Sequence, residues 1–325
     1  LRSLIPQILK PLLIVSFLSV VGCDQSFDPR PSGSSSPIVY SILSTDKADQ
    51  VVRVLSTYPP SVRTPGSNTV EYPITDAVVT IRDGATTYPL LLVVLPRSDS
   101  SRYTSPIYAY RSSGLTLQYG ATYTLEVLIP SAGLLTGTTT IPSKPGVYMD
   151  QRSTLEKPQQ YDLTQKMLMR AEMSGEAEGY LFRLLVCYDV LEGNSWVRKW
   201  TEVPARFRSD PPSITNAIYG QVTRVQSLSV ANAYTVGVYL QVLDDIYERT
   251  KPYKLVFNYA VLQFVQLDKT FYNYYTSVTG FQDPFSIRLD QSNYSNITNG
   301  TGIFAGCAVD TVFQILPADF QHNRR

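Results

Sequence analysis

The sequence predicts a mainly β fold. An N-terminal immunoglobulin-like β-sandwich is expected over residues 38–145, followed by a larger β-rich domain over 146–325 with one short helix near 268–280. Three observations lead there. Apolar and polar residues alternate with a period of two over many short runs. Turn residues interrupt those runs at close intervals. One segment alone has the cap, apolar stripe and stop of a helix.

In "ATYTLEVLI", Tyr123, Leu125, Val127 and Ile129 share one face, and Thr122, Thr124 and Glu126 the other. "YLFRLLVCYDV" aligns Phe182, Leu184, Val186, Tyr188 and Val190 in the same way. "AYTVGVYLQVL" reads as a further strand, with Tyr234, Val236, Val238, Leu240 and Val242 on one side. Their β-branched and aromatic content suits a half-buried pleated surface. Turn punctuation falls at "RDG" (82–84), "PSAG" (130–133), "PSKPG" (142–146) and "EGN" (192–194). Short strands so broken favour sandwiches over βαβ units, and the Pro142–Gly146 cluster marks the domain boundary.

The segment from Leu117 to Tyr123 resembles a tyrosine corner, in which a Tyr near a strand start bonds back to upstream backbone. For the helix, Asp268 is the expected N-cap of "KTFYNYYTSVTG". Phe271, Tyr274, Tyr275 and Val278 form a stripe to pack on a sheet, and Gly280 and Pro284 form the stop. Gly300, Gly302 and Gly306, beside Phe304 and Phe313, suit a tight turn into a final strand where backbones approach closely.

Residues 1–22 read as a secretory signal. Arg2 and Lys10 supply the positive start, and Pro11–Val21 an apolar core too short for the ~20 residues of a membrane span. Val20-Val21-Gly22-Cys23 resembles a bacterial lipobox, which makes Cys23 the expected lipidated N-terminus. Acyl chains contribute about 0.8 kcal/mol per buried CH₂, and two or more give a stable anchor. Residues 23–37, rich in Ser, Pro and Gly, read as a tether with a reach of roughly 20 Å.

The 325 residues are 43% hydrophobic and 17% charged, enough apolar content for a sizeable core. Removing residues 1–22 leaves 26 basic against 27 acidic groups, so nothing in the charge draws the chain to nucleic acid. Besides Cys23 there are Cys187 and Cys307, open to a disulfide or to two buried thiols.

Few residues offer chemistry. The one histidine, His322, lies in the polar tail "QHNRR", which argues against a Ser-His-Asp or Cys-His centre. Cysteines and histidine do not have zinc spacing, and no cofactor motif occurs. Asp244 and Asp245, at the expected end of a strand and followed by Glu248, are the candidates for a carboxylate-based hydrolase or a calcium site. Glycosylation sequons begin at Asn293, Asn296 and Asn299, and Asp310-Thr311-Val312 resembles a bacterial O-glycosylation acceptor. Tyrosine is in surplus, 23 against two tryptophans, and suits contact surfaces. Tyr58, Tyr88, Tyr103, Tyr108 and Tyr110, in or near loops of the first domain, are the expected contact residues.

The lipobox and tether, the pattern "ITDAVVTIRDG…YGATYTLEV…TTTIP" and the ending "FYNYYTSVTGFQDPFS…YSNITNGTGIFAG" together resemble domain-of-unknown-function family 4249. The ending, with Asp283-Pro284-Phe285, Asn296-Ile297 and Gly300-x-Gly302-Ile303-Phe304, is the most specific part. The resemblance implies a Bacteroidota envelope lipoprotein working beside TonB-dependent outer-membrane transporters, with no catalytic residues to carry over. The expected function is therefore a non-enzymatic, lipid-anchored outer-membrane binding or accessory module. Its partner would be a TonB-dependent barrel or a surface glycan. A structural or adhesive envelope protein is the alternative.

Overall fold

The computed structural model describes residues 35–57, 69–97, 100–101, 103–149, 163–207, 216–279, 294–314 and 316. The front half forms β1 (Pro37–Ser44), β2 (Val51–Ser56), β3 (Val78–Asp83), β4 (Thr86–Leu95), β5 (Ile107–Ser112), β6 (Thr122–Ile129) and β7 (Gly133–Thr140). After them come β8 (Gly146–Met149), β9 (Lys166–Glu172), β10 (Gly179–Glu192) and β11 (Ser195–Val203). The short β12 (Arg206–Phe207), β13 (Ala217–Ile218) and β14 (Thr223–Arg224) lead to β15 (Ser229–Thr235) and α1 (Val236–Thr250). The chain continues through β16 (Leu255–Leu267), α2 (Lys269–Thr279) and β17 (Thr301–Gln314).

The fold is mainly β, as expected, around one 12-stranded sheet. Its order is β11-β10-β16-β17-β1-β2-β5-β4-β3-β6-β7, with β14 beside β10. Among the described pairs, β1 with β17 is parallel and every other is antiparallel. Alternation sets which side chains turn inward: Tyr123, Leu125, Val127 and Ile129 are all buried. Two apolar clusters result. Ile141 belongs to the first and Val147 to the second, yet Ile297, Phe304 and Ala308 from the end of the chain pack in the first. The front sheet curls until β7 returns against β17, where a Cβ on Gly137 would lie 2.8 Å from Ile297 Cδ1. The first core thus takes in residues from the end of the chain as well as from the front strands.

The closest approach is at Gly302. It faces Val39 across the β1–β17 pair with φ 114°, and a Cβ there would lie 1.9 Å from the Val39 carbonyl oxygen. Asn296 holds the turn before β17. Its Nδ2 donates to Phe304 O (2.8 Å) and Thr138 O (3.1 Å), and its Oδ1 accepts from Phe304 N (2.9 Å). Asn299 Nδ2 donates to Leu134 O at 3.0 Å. Two of the three sequon amides are thus engaged in backbone bonds, while Asn293 lies outside the described residues. Thr311 pairs with Gln263 inside the sheet, so its segment is strand and not an open loop.

The tyrosine-corner bond is present: the buried Tyr123 hydroxyl accepts from Gln118 N at 2.8 Å. So is the predicted cap of α2, where Asp268 Oδ1 accepts from Phe271 N at 2.7 Å. From the stripe of α2, Tyr274 packs on the sheet, edge-on to Tyr40 of β1 at 5.6 Å. The expected stop at Gly280 and Pro284 lies outside the described residues.

One element differs. The run expected as a strand through Val242 leaves the sheet at Thr235, and residues 236–250 form α1, so the described chain has two helices where one was expected. Val236, Tyr239, Val242, Leu243 and Ile246 are its buried face. A short apolar run satisfies both periods, and here a distant segment decides. The Val236 and Gly237 N–H groups donate to Gln165 O and Leu163 O, both at 2.9 Å, satisfying a helix start that its own N-cap side chain does not.

Cys187 and Cys307 are free and buried. Across β16 they pair with Tyr259 and Leu267. These partners are about 26 Å apart along the strand, far beyond the ~7 Å limit for a disulfide.

Two outcomes are expected. Replacing Gly302 by Ala destabilises the protein by about 3 kcal/mol or more, because either β1 or β17 must move, and the denaturant midpoint reports it. Asp268 is buried, accepts from Thr139 Oγ1 as well, and burial outweighs these bonds to raise its pKa from 3.8 to about 6. The folded state then binds the extra proton between these values, so this group's contribution to stability falls as pH rises through that window. Asp268→Asn keeps a capping oxygen, and denaturant midpoints measured from pH 4 to pH 7 should lose that slope.

Candidate binding surface

Cys23, the predicted lipidation site, and Tyr58 lie outside the described residues. Asp244, Asp245 and Glu248 sit on α1, not at a strand end. Adjacent helix residues diverge by about 100°, yet both aspartates and Glu248 border one open cleft of about 450 Å³ with Leu163 and Leu240. Asp245 pairs with Arg249 (3.0 Å) and Glu248 with Lys251 (2.7 Å). Desolvation, then the Glu248 charge, raises the Asp244 carboxyl above its ordinary value. Among the described residues no three His, Cys, Asp or Glu side chains form a group able to hold a metal ion.

The expected contact tyrosines divide. Tyr110 is buried, donating to Ile74 O and accepting from Ala77 N, both at 3.0 Å, which makes it a strut. Tyr88 packs on the first core and Tyr108, in β5, sits opposite Val94 of β4. Tyr103 reaches a groove. That groove, of about 190 Å³, lies between Ile38, Leu55, Val70 and Tyr72, beside Glu71. Arg97 stacks over the Tyr103 ring at 5.4 Å and bonds Glu71, which also takes Arg53 at 2.9 Å. Burial alone would raise the Glu71 carboxyl, but Arg53 and then Arg97 hold it below its ordinary value.

The larger aromatic surface is elsewhere, on the outer face of β11-β10-β16-β17. Register sets Trp200 beside Cys187 and Cys187 beside Tyr259, while Phe313 pairs with Val261 one row on. The Trp200 ring stands edge-on to Tyr259 at 6.0 Å, and Tyr259 edge-on to Phe313 at 5.3 Å. Trp196, two residues along the same face from Arg198, extends the patch at the sheet's terminal strand. Exposure is high: Phe313 63%, Trp196 52% and Trp200 48%. Beneath this layer Cys187 and Val261, though on the outer face, are buried. Burial first, then the adjacent Cys187 thiol, raises the Tyr259 hydroxyl above its ordinary value.

Ion pairs border the aromatics. Arg183 places two nitrogens on Glu202 Oε2 (2.9 and 2.6 Å) and a third on Gln263, and Arg198 forks onto Asp189 (3.0 and 3.3 Å). Aromatics at the centre with a polar, satisfied rim is the anatomy of a protein interface, and planar rings also stack on flat ligands. Strand register alone joins Trp196 and Trp200 of β11 to Tyr259 and Phe313, so no pattern along the chain connects them. The one local signal is "SWVRKWTEV", whose two tryptophans four apart share a strand face.

Because the aromatic layer covers Cys187, Trp200→Ala should make that thiol react with a soluble disulfide reagent at least about tenfold faster. Cys307, buried and raised to about 12 mainly by desolvation, should not change. Labelling followed by peptide mass spectrometry checks both.

Comparison with known proteins places the chain. One solved structure similar to it is the crystal structure of a DUF4785 family protein from Legionella pneumophila, at 9% identity and TM-score 0.21, over 70% of this chain and 52% of that one. The chain thus spans about half the length of that structure. No curated protein matches. The family described as "Domain of unknown function (DUF4249)" matches residues 27–312. Its match runs from ahead of β1 almost to the end of β17, and the chain belongs to the DUF4249 family.

Proposed function

We propose that this DUF4249 protein is a non-catalytic lipoprotein of the bacterial outer membrane, of the Bacteroidota type, anchored through Cys23 and binding its partner through the outer aromatic face. The observation that carries the reading is the exposed Trp196, Trp200 and Phe313 around Tyr259, bordered by ion pairs. Large apolar rings held out on a rigid sheet are hot-spot residues awaiting a partner surface. Of the acidic side chains that offered the route to hydrolysis, Asp245 and Glu248 are already held in ion pairs with Arg249 and Lys251, which supports binding over catalysis. No helix among the described residues is long and apolar enough to cross a membrane; the attachment proposed is through Cys23, on the strength of the lipobox-like Val20–Cys23. The partner proposed is a TonB-dependent barrel, with a surface glycan as the ligand to screen next.

The test is recovery of the intact protein from its native outer membrane, with mass spectrometry of what accompanies it. Trp200→Ala and Phe313→Ala should each weaken retention of the partner by about 2 kcal/mol, roughly thirtyfold in affinity, and Cys23→Ala should release the protein from the membrane. Recovery of the protein alone, with and without the aromatic changes, would overturn the accessory reading.

A further inference from the structure

A second exposed apolar surface lies at the opposite end of the molecule. From Tyr88 to Pro96 the chain reads "YPLLLVVLP", without a charge. Leu90 is the last residue of β4 in the first core. Since Val79 pairs with Leu90, β3 begins opposite Leu91, and Leu92–Leu95 pair with β5 alone. Leu92 and Val94 keep the inward parity of Leu90 but extend past the core. Leu91 and Val94 are 67% and 58% exposed. The β4 strand of this ribbon is apolar on both faces, and the charge beside it is Arg111 of β5, opposite Leu91 and paired with Asp49 at 3.7 Å. Leu92–Leu95 themselves carry none of the lysines that normally protect a strand edge.

Register gives its direction. β5 runs antiparallel to β2 where Tyr110 pairs with Val52, which directs its Ile107 end toward the Ser56 end of β2. Past Val52 the Tyr72–Ile74 segment takes over as β2's partner, and Ser56 pairs with Pro37, the first residue of β1. The ribbon therefore points to the end where the chain arrives from Cys23. Side chains tie the two together. Arg97, two residues past β4, donates to Ser105 O at 2.8 Å and bonds Glu71, which bonds Arg53 of β2. Tyr103, on the return to β5, lines one groove with Ile38 of β1.

We propose that this ribbon, centred on Leu91, Leu92 and Val94, seats in the surface of the bilayer that holds the Cys23 anchor. The inference rests on that reading of Cys23. From Asp24 to Pro37 there are 14 residues, which span no more than about 50 Å even when fully extended. Acyl chains at Cys23 would thus confine the start of β1 near the lipid, and the apolar side chains at that end face the one nearby medium that favours them. Bilayer contact there fixes the orientation of the molecule and turns the Trp200–Phe313 face away from the membrane.

The experiment uses the full mature chain with Cys23→Ala and an N-terminal histidine tag, held on vesicles of phosphatidylethanolamine, phosphatidylglycerol and a nickel-chelating lipid. An environment-sensitive fluorophore is placed at Val94→Cys or, as control, at Lys47→Cys, whose side chain is 67% exposed. Lys47 lies beyond the other end of β1, and the two native thiols are buried. On vesicles the probe at 94 should shift to the blue and be quenched by brominated acyl chains, and the probe at 47 should not. Leu91→Ser with Leu92→Ser should abolish the shift while circular dichroism stays unchanged. A probe at 94 that stays in water on the bound protein would overturn the proposal. So would a blue shift that grows with protein concentration without vesicles, which would assign the ribbon to a second copy of the chain. The tag replaces the acyl chains, so mass spectrometry of the native N-terminus tests the anchor separately.

Discussion

The parallel pairing of β1 with β17 joins the first strand of the chain to the last and sustains both cores. β1 opens the front sheet, β17 closes the rear sheet through β16, and one ladder from Ile38–Thr301 to Ser44–Cys307 makes them continuous. Such a ladder between the chain's ends closes a very long loop and forms only when the intervening structure repays that entropy. The local chemistry is adapted to it. Gly302 leaves room for the Val39 carbonyl, the Asn296 amide folds the turn ahead of β17, and the buried Asp268 ties the α2 cap both to Thr139 of β7 and to the Gly306 carbonyl. Backbone contact this close excludes side chains, which is why the glycines cluster at the end of the sequence.

The same strand gives the molecule a direction. Thr301, at its start, lies beside Ile38, where the chain arrives from the N-terminal segment. Phe313 lies twelve residues on, about 40 Å away along the strand. The apolar ribbon of β4 and β5 belongs to the first end and the Trp200–Tyr259–Phe313 patch to the second. The two surfaces differ in kind. The exposed β4 residues of the ribbon are aliphatic and uncharged, whereas the patch is aromatic and bordered by bonded arginines, as suits a structured partner.

The cysteines show how register governs chemistry as well as shape. A shared sheet could have joined Cys187 and Cys307, but the pairing of β16 with each neighbour sets them far apart along the strands. Cys187 instead sits below aromatic rings and Cys307 beside Ser44. Both behave as small buried apolar groups.

By itself the sequence determined what depends on near neighbours: alternation in β6 and β10, the Tyr123 bond to Gln118, the Asp268 cap, and the glycines needed where β17 begins. Each is an interaction spanning a few residues, or a steric demand on one. The tertiary structure decided the rest. Residues 236–250 became helix because Leu163 and Gln165 supplied the missing acceptors. Tyr110 became a strut because Ile74 and Ala77 lay within reach of its hydroxyl. The binding face arose because register brought positions 200, 259 and 313 together. Contacts between distant residues exist only once the strands have paired, so no local pattern along the chain encodes them.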